Sequence, residues 1–161
     1  MGKRSYKRAV YDVEAYLNRG NVYLEQGWPF KAIEDYDAAL QIDPNYALAY
    51  NNRGNAYSGE KMYDRAIEDY DAVLRINPNY DVAYNNRGDA YIHKGNYDRA
   101  IADCNQAIKL DSKFAEAYAT RSSAYYGKGA RIRVRADLRK ASRLLRREIQ
   151  REERKQRSVG F

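Results

Sequence analysis

The tyrosines of this chain recur at a fixed step. Tyr16, Tyr50, Tyr84 and Tyr118 stand 34 residues apart, and so do Tyr23, Tyr57, Tyr91 and Tyr125. Tyr36 and Tyr70, Tyr46 and Tyr80, and Tyr63 and Tyr97 keep the same interval, which puts 14 of the 17 tyrosines in phase. Gly20, Gly54 and Gly88 obey it, as do Ala32, Ala66 and Ala100 and the prolines Pro44 and Pro78. Such a period constrains the fold more than any local propensity. One supersecondary unit is repeated, no copy can bury its apolar face alone, and stacked neighbours must supply the core.

Within one unit the pattern is helical. Tyr16, Gly20 and Tyr23 fall at i, i+4 and i+7, on one face of a helix. Gly20 costs helix propensity but lets a partner helix approach closely. Ala32, Tyr36, Ala39 and Leu40 form the matching stripe of a second helix, mixing small and large side chains for interdigitation. Gly27, Gly95 and Gly129 lie between paired helices, and Pro44 and Pro78 close one unit and open the next. The spacing predicts an all-α chain with helices near 14–27, 30–42, 48–60, 64–76, 82–94, 98–110, 116–128 and 131–156. The aromatics then read as core packing, not as a cofactor box.

The blocks Ala15-Tyr16-Leu17-Asn18-Arg19-Gly20, Ala49-Tyr50-Asn51-Asn52-Arg53-Gly54 and Ala83-Tyr84-Asn85-Asn86-Arg87-Gly88 resemble the first helix of the tetratricopeptide repeat. Lys31-Ala32-Ile33, Arg65-Ala66-Ile67 and Arg99-Ala100-Ile101 resemble its second helix, closed by Asp43-Pro44 or Asn77-Pro78. The resemblance implies a right-handed superhelix of helix hairpins, with repeats at 13–46, 47–80 and 81–114 and a degenerate fourth at 115–148. A basic segment, 1–12, precedes the array, and a basic extension of the last helix, 149–161, follows it.

One departure is informative. Where the family usually has leucine, this chain has Arg19, Arg53, Arg87 and Arg121, and sixteen residues later stand Asp35, Asp69, Asp103 and Asp137. In an antiparallel hairpin those positions lie opposite each other. An ion pair inside each repeat is expected, with the arginine stem packed along apolar surface. The alternative is an arginine row reading phosphates or carboxylates.

The resemblance also implies that first helices line a concave groove that takes a peptide. Asn18, Asn52 and Asn86 fall there in phase, joined by Asn21, Asn55 and Asp89 and by Asn51 and Asn85. Each asparagine offers a donor and an acceptor, so a ladder of them can grip an extended backbone with little regard for its sequence. Asn18, Asn52 and Asn86 resemble the asparagine ladder of the O-linked N-acetylglucosamine transferase superhelix. The alternative is that they solvate a helix face or bond across repeats. Leu17, Leu24, Leu48, Val82 and Ile92 are expected to make the groove mixed apolar and amide, with His93 at its edge. The carboxylate-clamp subclass, which holds the acidic C-termini of heat-shock chaperones, is not matched. Aligned on the first repeat, Asn21 and Asn52 fit, but Leu17 and Val82 stand at its lysine positions and Asn86 at its arginine position. Moving the frame by one repeat places Asn51, Glu116 and Thr120 there instead.

Charge is divided along the chain: residues 1–12 carry +3, residues 13–127 carry −5 and residues 128–161 carry +9. From Ala130 to Gln156 there is no Pro or Gly, and Val134, Leu138, Ala141, Leu145 and Ile149 make an amphipathic stripe. It reads as a solubilising cap, with self-association, a partner helix, or an RNA or membrane surface as alternatives. Arg139, Arg143 and Arg147 carry the basic character, but no aromatics for base stacking interleave them, which argues against specific nucleic-acid recognition.

One cysteine and one histidine exclude an intramolecular disulfide, a structural zinc site and any His-based triad beyond His93, so no enzyme, metal or cofactor is expected. No apolar run reaches the ~20 residues of a bilayer span. The N-terminus lacks a signal peptide's apolar stretch and the myristoylation pattern. The expectation is a cytoplasmic, non-catalytic scaffold that binds a peptide segment of another protein.

Overall fold

The computed structural model describes the backbone of residues 3–159 and the side chains of residues 12–156. Over this span the chain forms eight helices and no strand: α1 (Lys3–Glu25), α2 (Pro29–Ile42), α3 (Ala47–Gly59), α4 (Tyr63–Ile76), α5 (Asp81–His93), α6 (Tyr97–Leu110), α7 (Ala115–Gly127) and α8 (Arg131–Val159). Consecutive helices pair into hairpins, and each hairpin packs on the next through α2–α3, α4–α5 and α6–α7. The result is a superhelical all-α array. α1 begins at Lys3 instead of near 14, so the backbone of the basic segment continues this helix without a break. The side chains of that segment up to residue 11, and those of 157–161, lie outside the described residues.

The turns explain the helix ends. Gly27 adopts φ +77, Trp28 N–H reaches the Tyr23 carbonyl at 2.8 Å, and α1 stops. The same wrap recurs at Gly95 and Gly129, but the in-phase position of the second hairpin holds Lys61, at φ 60. Between hairpins, Asn45 N–H donates to Asp43 Oδ1 at 2.9 Å and Asn79 N–H donates to Asn77 Oδ1 at 3.0 Å. These Asx turns set the entry to α3 and α5, whose preceding tyrosines, Tyr46 and Tyr80, make no side-chain cap.

The core is a row of small clusters, not one body. Tyr36 packs with Ala32, Ala39 and Ala49 and Ala56 of the following repeat, and Tyr70 packs with Ala66 and Ala90. Each ring lies over a glycine of the paired helix. A Cβ on Gly54 would sit 2.8 Å from Tyr70 Cε1, so any larger residue here would force the buried ring to shift. Leu17, expected in the groove, is instead buried in the first cluster. It faces inward because this phase of the first helix is turned toward the core in each repeat, as at Asn51 and Asn85.

The last helix departs from its expected packing. Val134, Asp137, Ala141 and Leu144 turn toward α7, while Leu138, Leu145 and Ile149 remain exposed. The Asp137 contact with Arg121 gives α8 the same rotation as α2, α4 and α6, but no described helix follows it, so Leu138 stays exposed where its in-phase equivalents Tyr36, Tyr70 and Cys104 are buried.

Candidate functional site

Two polar lattices run through the stack. The first is built on the arginines. Arg53 Nε and Nη2 donate to Asp69 Oδ2 and Oδ1 at 2.9 and 2.6 Å, a two-point fork. Arg19–Asp35, Arg87–Asp103 and Arg121–Asp137 have the same geometry, with both contacts of every pair between 2.5 and 2.8 Å. The third nitrogen reaches backward. Arg53 Nη1 pairs with Asp37, Arg87 Nη1 with Asp71 at 2.5 Å and Arg121 Nη1 with Asn105 at 2.7 Å. Each of these three guanidinium groups thus ties its own hairpin together and the hairpin to its predecessor, while Arg19 ties only its own. Its carbon lies over tyrosine rings as well, 5.4 Å from the centroid of Tyr50 and 6.0 Å from that of Tyr57 for Arg53. Burial opposes the Arg53 charge, but the bonds and charges of Asp69 and Asp37 outweigh it and hold the guanidinium protonated. Burial lifts the Asp69 and Asp103 carboxyls against the pull of the facing arginines. This row is committed to the fold. The backward arm escaped sequence reasoning, although the in-phase series Asp37, Asp71 and Asn105 was its signal.

The second lattice is made of amides on the first helices. Asn52 Nδ2 donates to Asn21 Oδ1 at 2.9 Å, and Asn86 Nδ2 donates to Asn55 Oδ1 at 3.0 Å. The same acceptors take Tyr36 OH and Tyr70 OH, both at 2.8 Å. Asn51 and Asn85 are buried, because they lie one residue toward the core from Asn52 and Asn86, and Asn85 reaches only the floor of a recess that it lines with Asn86 and Asp89. They donate weakly to Asn52 and Asn86, at 3.3 and 3.4 Å. Asn18 and Asn55 are exposed, and Asn21, Asn52, Asn86 and Asp89 are half-buried. Leu48 and Val82 are exposed one turn before Asn52 and Asn86, which puts Leu48, Asn52 and Asn55 in one strip and Val82, Asn86 and Asp89 in the next. Leu24 and Ile92 are half-buried. His93 stacks on Tyr63 with centroids 4.6 Å apart, and its Nε2 lies 3.7 Å from Asp89 Oδ2. Arg139, Arg143 and Arg147 are exposed along α8.

Neither lattice assembles a nucleophile with a base. Burial pushes the Cys104 thiol up to about 12, too high to supply thiolate at neutral pH. Among the described residues no group of three or more His, Cys, Asp or Glu could hold a metal ion, and no helix is long and apolar enough to cross a membrane.

Stacked hairpins that expose a strip of amides and single apolar side chains on successive first helices define a protein-interaction scaffold. A family model described as tetratricopeptide repeat matches residues 47–80 and 82–114, and a second, described as TPR repeat, matches 31–59. The chain belongs to the tetratricopeptide repeat family. A crystal structure of MamA aligns with a TM-score of 0.78 and 28% identity over 92% of this chain and 86% of that one. The second TPR domain of human RPAP3, solved in complex with the HSP70 peptide SGPTIEEVD, aligns at 0.70 with 25% identity over 72% of this chain and 97% of that domain. Among curated protein sequences, none matches.

Proposed function

We propose that the first helices form a groove that binds an extended segment of another protein, and that the chain acts by holding this partner, not by catalysis. The observation that carries the reading is the pair of strips Leu48/Asn52/Asn55 and Val82/Asn86/Asp89, which combine exposed apolar contacts with backbone-compatible amides. A TPR domain in complex with a peptide among the structural neighbours supports it. The ligand differs from the acidic tail in that complex. Glu116, Asp89 and amides stand along these strips, and no lysine or arginine does. The test is peptide selection from a random displayed library against the intact chain and against Leu48→Glu with Val82→Glu. These side chains are exposed, so the variant keeps its fold. Peptides that bind both forms equally would exclude the groove.

A second reading concerns the two ends of the stack. Leu138 is 49% exposed, while its in-phase equivalents Tyr36, Tyr70 and Cys104 are at most 1% exposed beneath the following helix. At the other end Val22 is 48% exposed, while its equivalents Ala56, Ala90 and Ala124 are at most 1% exposed. The faces of α8 and α1 are the two halves of the joint made inside the chain at α2–α3, α4–α5 and α6–α7. A second copy seated head to tail would rebuild that joint, the self-association anticipated for the last helix. Leu138→Asp and Val22→Asp should each stop growth beyond a monomer in sedimentation, and a mixture of the two should form a dimer. A monomer for the unaltered chain at all accessible concentrations refutes this reading.

A further inference from the structure

The amide lattice breaks at one place. In the first two repeats, Asn21 and Asn55 each receive a tyrosine hydroxyl and an amide from the next repeat. In the third repeat all three partners change together: Asp89 replaces the asparagine, Cys104 the tyrosine and Thr120 the incoming amide. Two acceptors lose their donors as a result. Asn51 Oδ1 takes Asn86 Nδ2 at 3.5 Å, but its counterpart Asn85 Oδ1, on a residue only 9% exposed, has no hydrogen-bond partner. Asp89 keeps only the long approach of His93. Both residues line one cavity of about 350 Å³, together with Asn86, Thr120 and His93, and no lysine or arginine lines it.

An orphaned amide oxygen beside a carboxylate, in a polar recess, calls for a ligand that is all donor. An ammonium offers three donors and a guanidinium five, and neither accepts. We infer that this recess is a specificity pocket for a basic side chain, lysine or arginine, of the peptide held in the groove. Asp89 supplies the countercharge, and Asn85 Oδ1 and the Thr120 hydroxyl take further N–H groups. Burying a donor-rich cation against an acceptor left unpaired in the free protein discriminates against neutral residues, because either alone leaves polar groups unsatisfied. The inference rests on the groove reading and adds the chemistry of one residue of the ligand.

The experiment has two arms. In the first, N-acetyl-lysine N′-methylamide and its uncharged counterpart, N-acetyl-norleucine N′-methylamide, are titrated into the labelled full chain. The side-chain amide signals of Asn85 and Asn86 are followed by NMR. The lysine probe should shift them saturably and bind at least about tenfold tighter. Equal behaviour of the two probes would mean that the recess holds only water, and would overturn the assignment. In the second arm, peptides selected on the unaltered chain should carry Lys or Arg at one fixed position. Peptides selected on Asp89→Asn, which restores the residue of the earlier repeats, should lose that basic position, and those selected on Asp89→Lys should carry Asp or Glu there. Groove-dependent peptides without a basic position would refute the pocket and leave the groove standing. A library yielding no groove-dependent peptide would refute both.

Discussion

The arginine fork makes a quantitative demand on the fold. Replacing Arg53 by leucine, the residue usual for the family there, leaves Asp69 only 4% exposed and without the donors that hold both its oxygens. Breaking a buried pair from one side costs about 3–5 kcal/mol, because a charge is left uncompensated. Asp37, whose side chain is 43% exposed, rehydrates and adds no more than about 1 kcal/mol. Asp69→Leu alone strands the Arg53 donors and should cost about 1.5–3 kcal/mol. With both positions leucine, two apolar side chains face each other, and the double variant should lie within about 1–2 kcal/mol of the parent, a coupling of at least about 2 kcal/mol. Urea unfolding followed by circular dichroism measures all four proteins, and an unchanged slope licenses the comparison. A stranded buried carboxyl has a folded pKa above its unfolded value of about 3.9, so it binds its proton more tightly when folded. The deficit of Arg53→Leu should therefore be smaller at pH 5 than at pH 8. Additive losses, or a deficit that ignores pH, would mean that Arg53 and Asp69 are not coupled in the folded chain.

Lys61→Gly should stabilise the chain by about 0.5–1 kcal/mol in thermal melts, since the left-handed backbone at φ 60 costs a Cβ-bearing residue more than glycine's extra unfolded freedom takes back; a lower melting temperature would contradict the turn assignment. Burial pushes the Tyr36 phenol up to about 12 and raises that of Tyr70 still further. A raised folded pKa gives stability that is intact below the unfolded value of about 10 and lost above it, so the array should weaken from pH 10 upward and Tyr36→Phe should flatten that loss. Asn52→Ala with Asn86→Ala removes two bonds between repeats and should lower stability by about 2 kcal/mol in urea; an unchanged midpoint would mean that these amides do not tie the hairpins together.

Period and helix pairing were legible because both follow from small and large residues recurring in phase, which a one-dimensional string records in full. The facing of Arg53 and Asp69 was legible for the same reason: an antiparallel hairpin converts a sequence offset into proximity. What was not legible depended on rotation about a helix axis. Asn51 and Asn52 are neighbours in sequence, yet one is buried and the other half-buried. Leu17 reads as a groove residue by its apolar character alone, yet it stands in the same buried phase as Asn51 and Asn85. Along α8 the apolar stripe reads the same whether or not a further helix covers it, and only the structure shows Leu138 exposed where Tyr36, Tyr70 and Cys104 are buried. Nor could sequence show that Asn21 and Asn55 are already occupied as acceptors while Asn85 is not.

A peptide selected on the intact chain, added in excess to the labelled protein, should perturb backbone signals of α1, α3, α5 and α7, centred on Leu48, Asn52, Val82, Asn86 and Asp89. The outer positions of α4 and α6, such as Glu68, Arg75 and Lys109, should not move. Perturbations confined to α8 or to those outer positions would contradict the groove as the working surface of this protein.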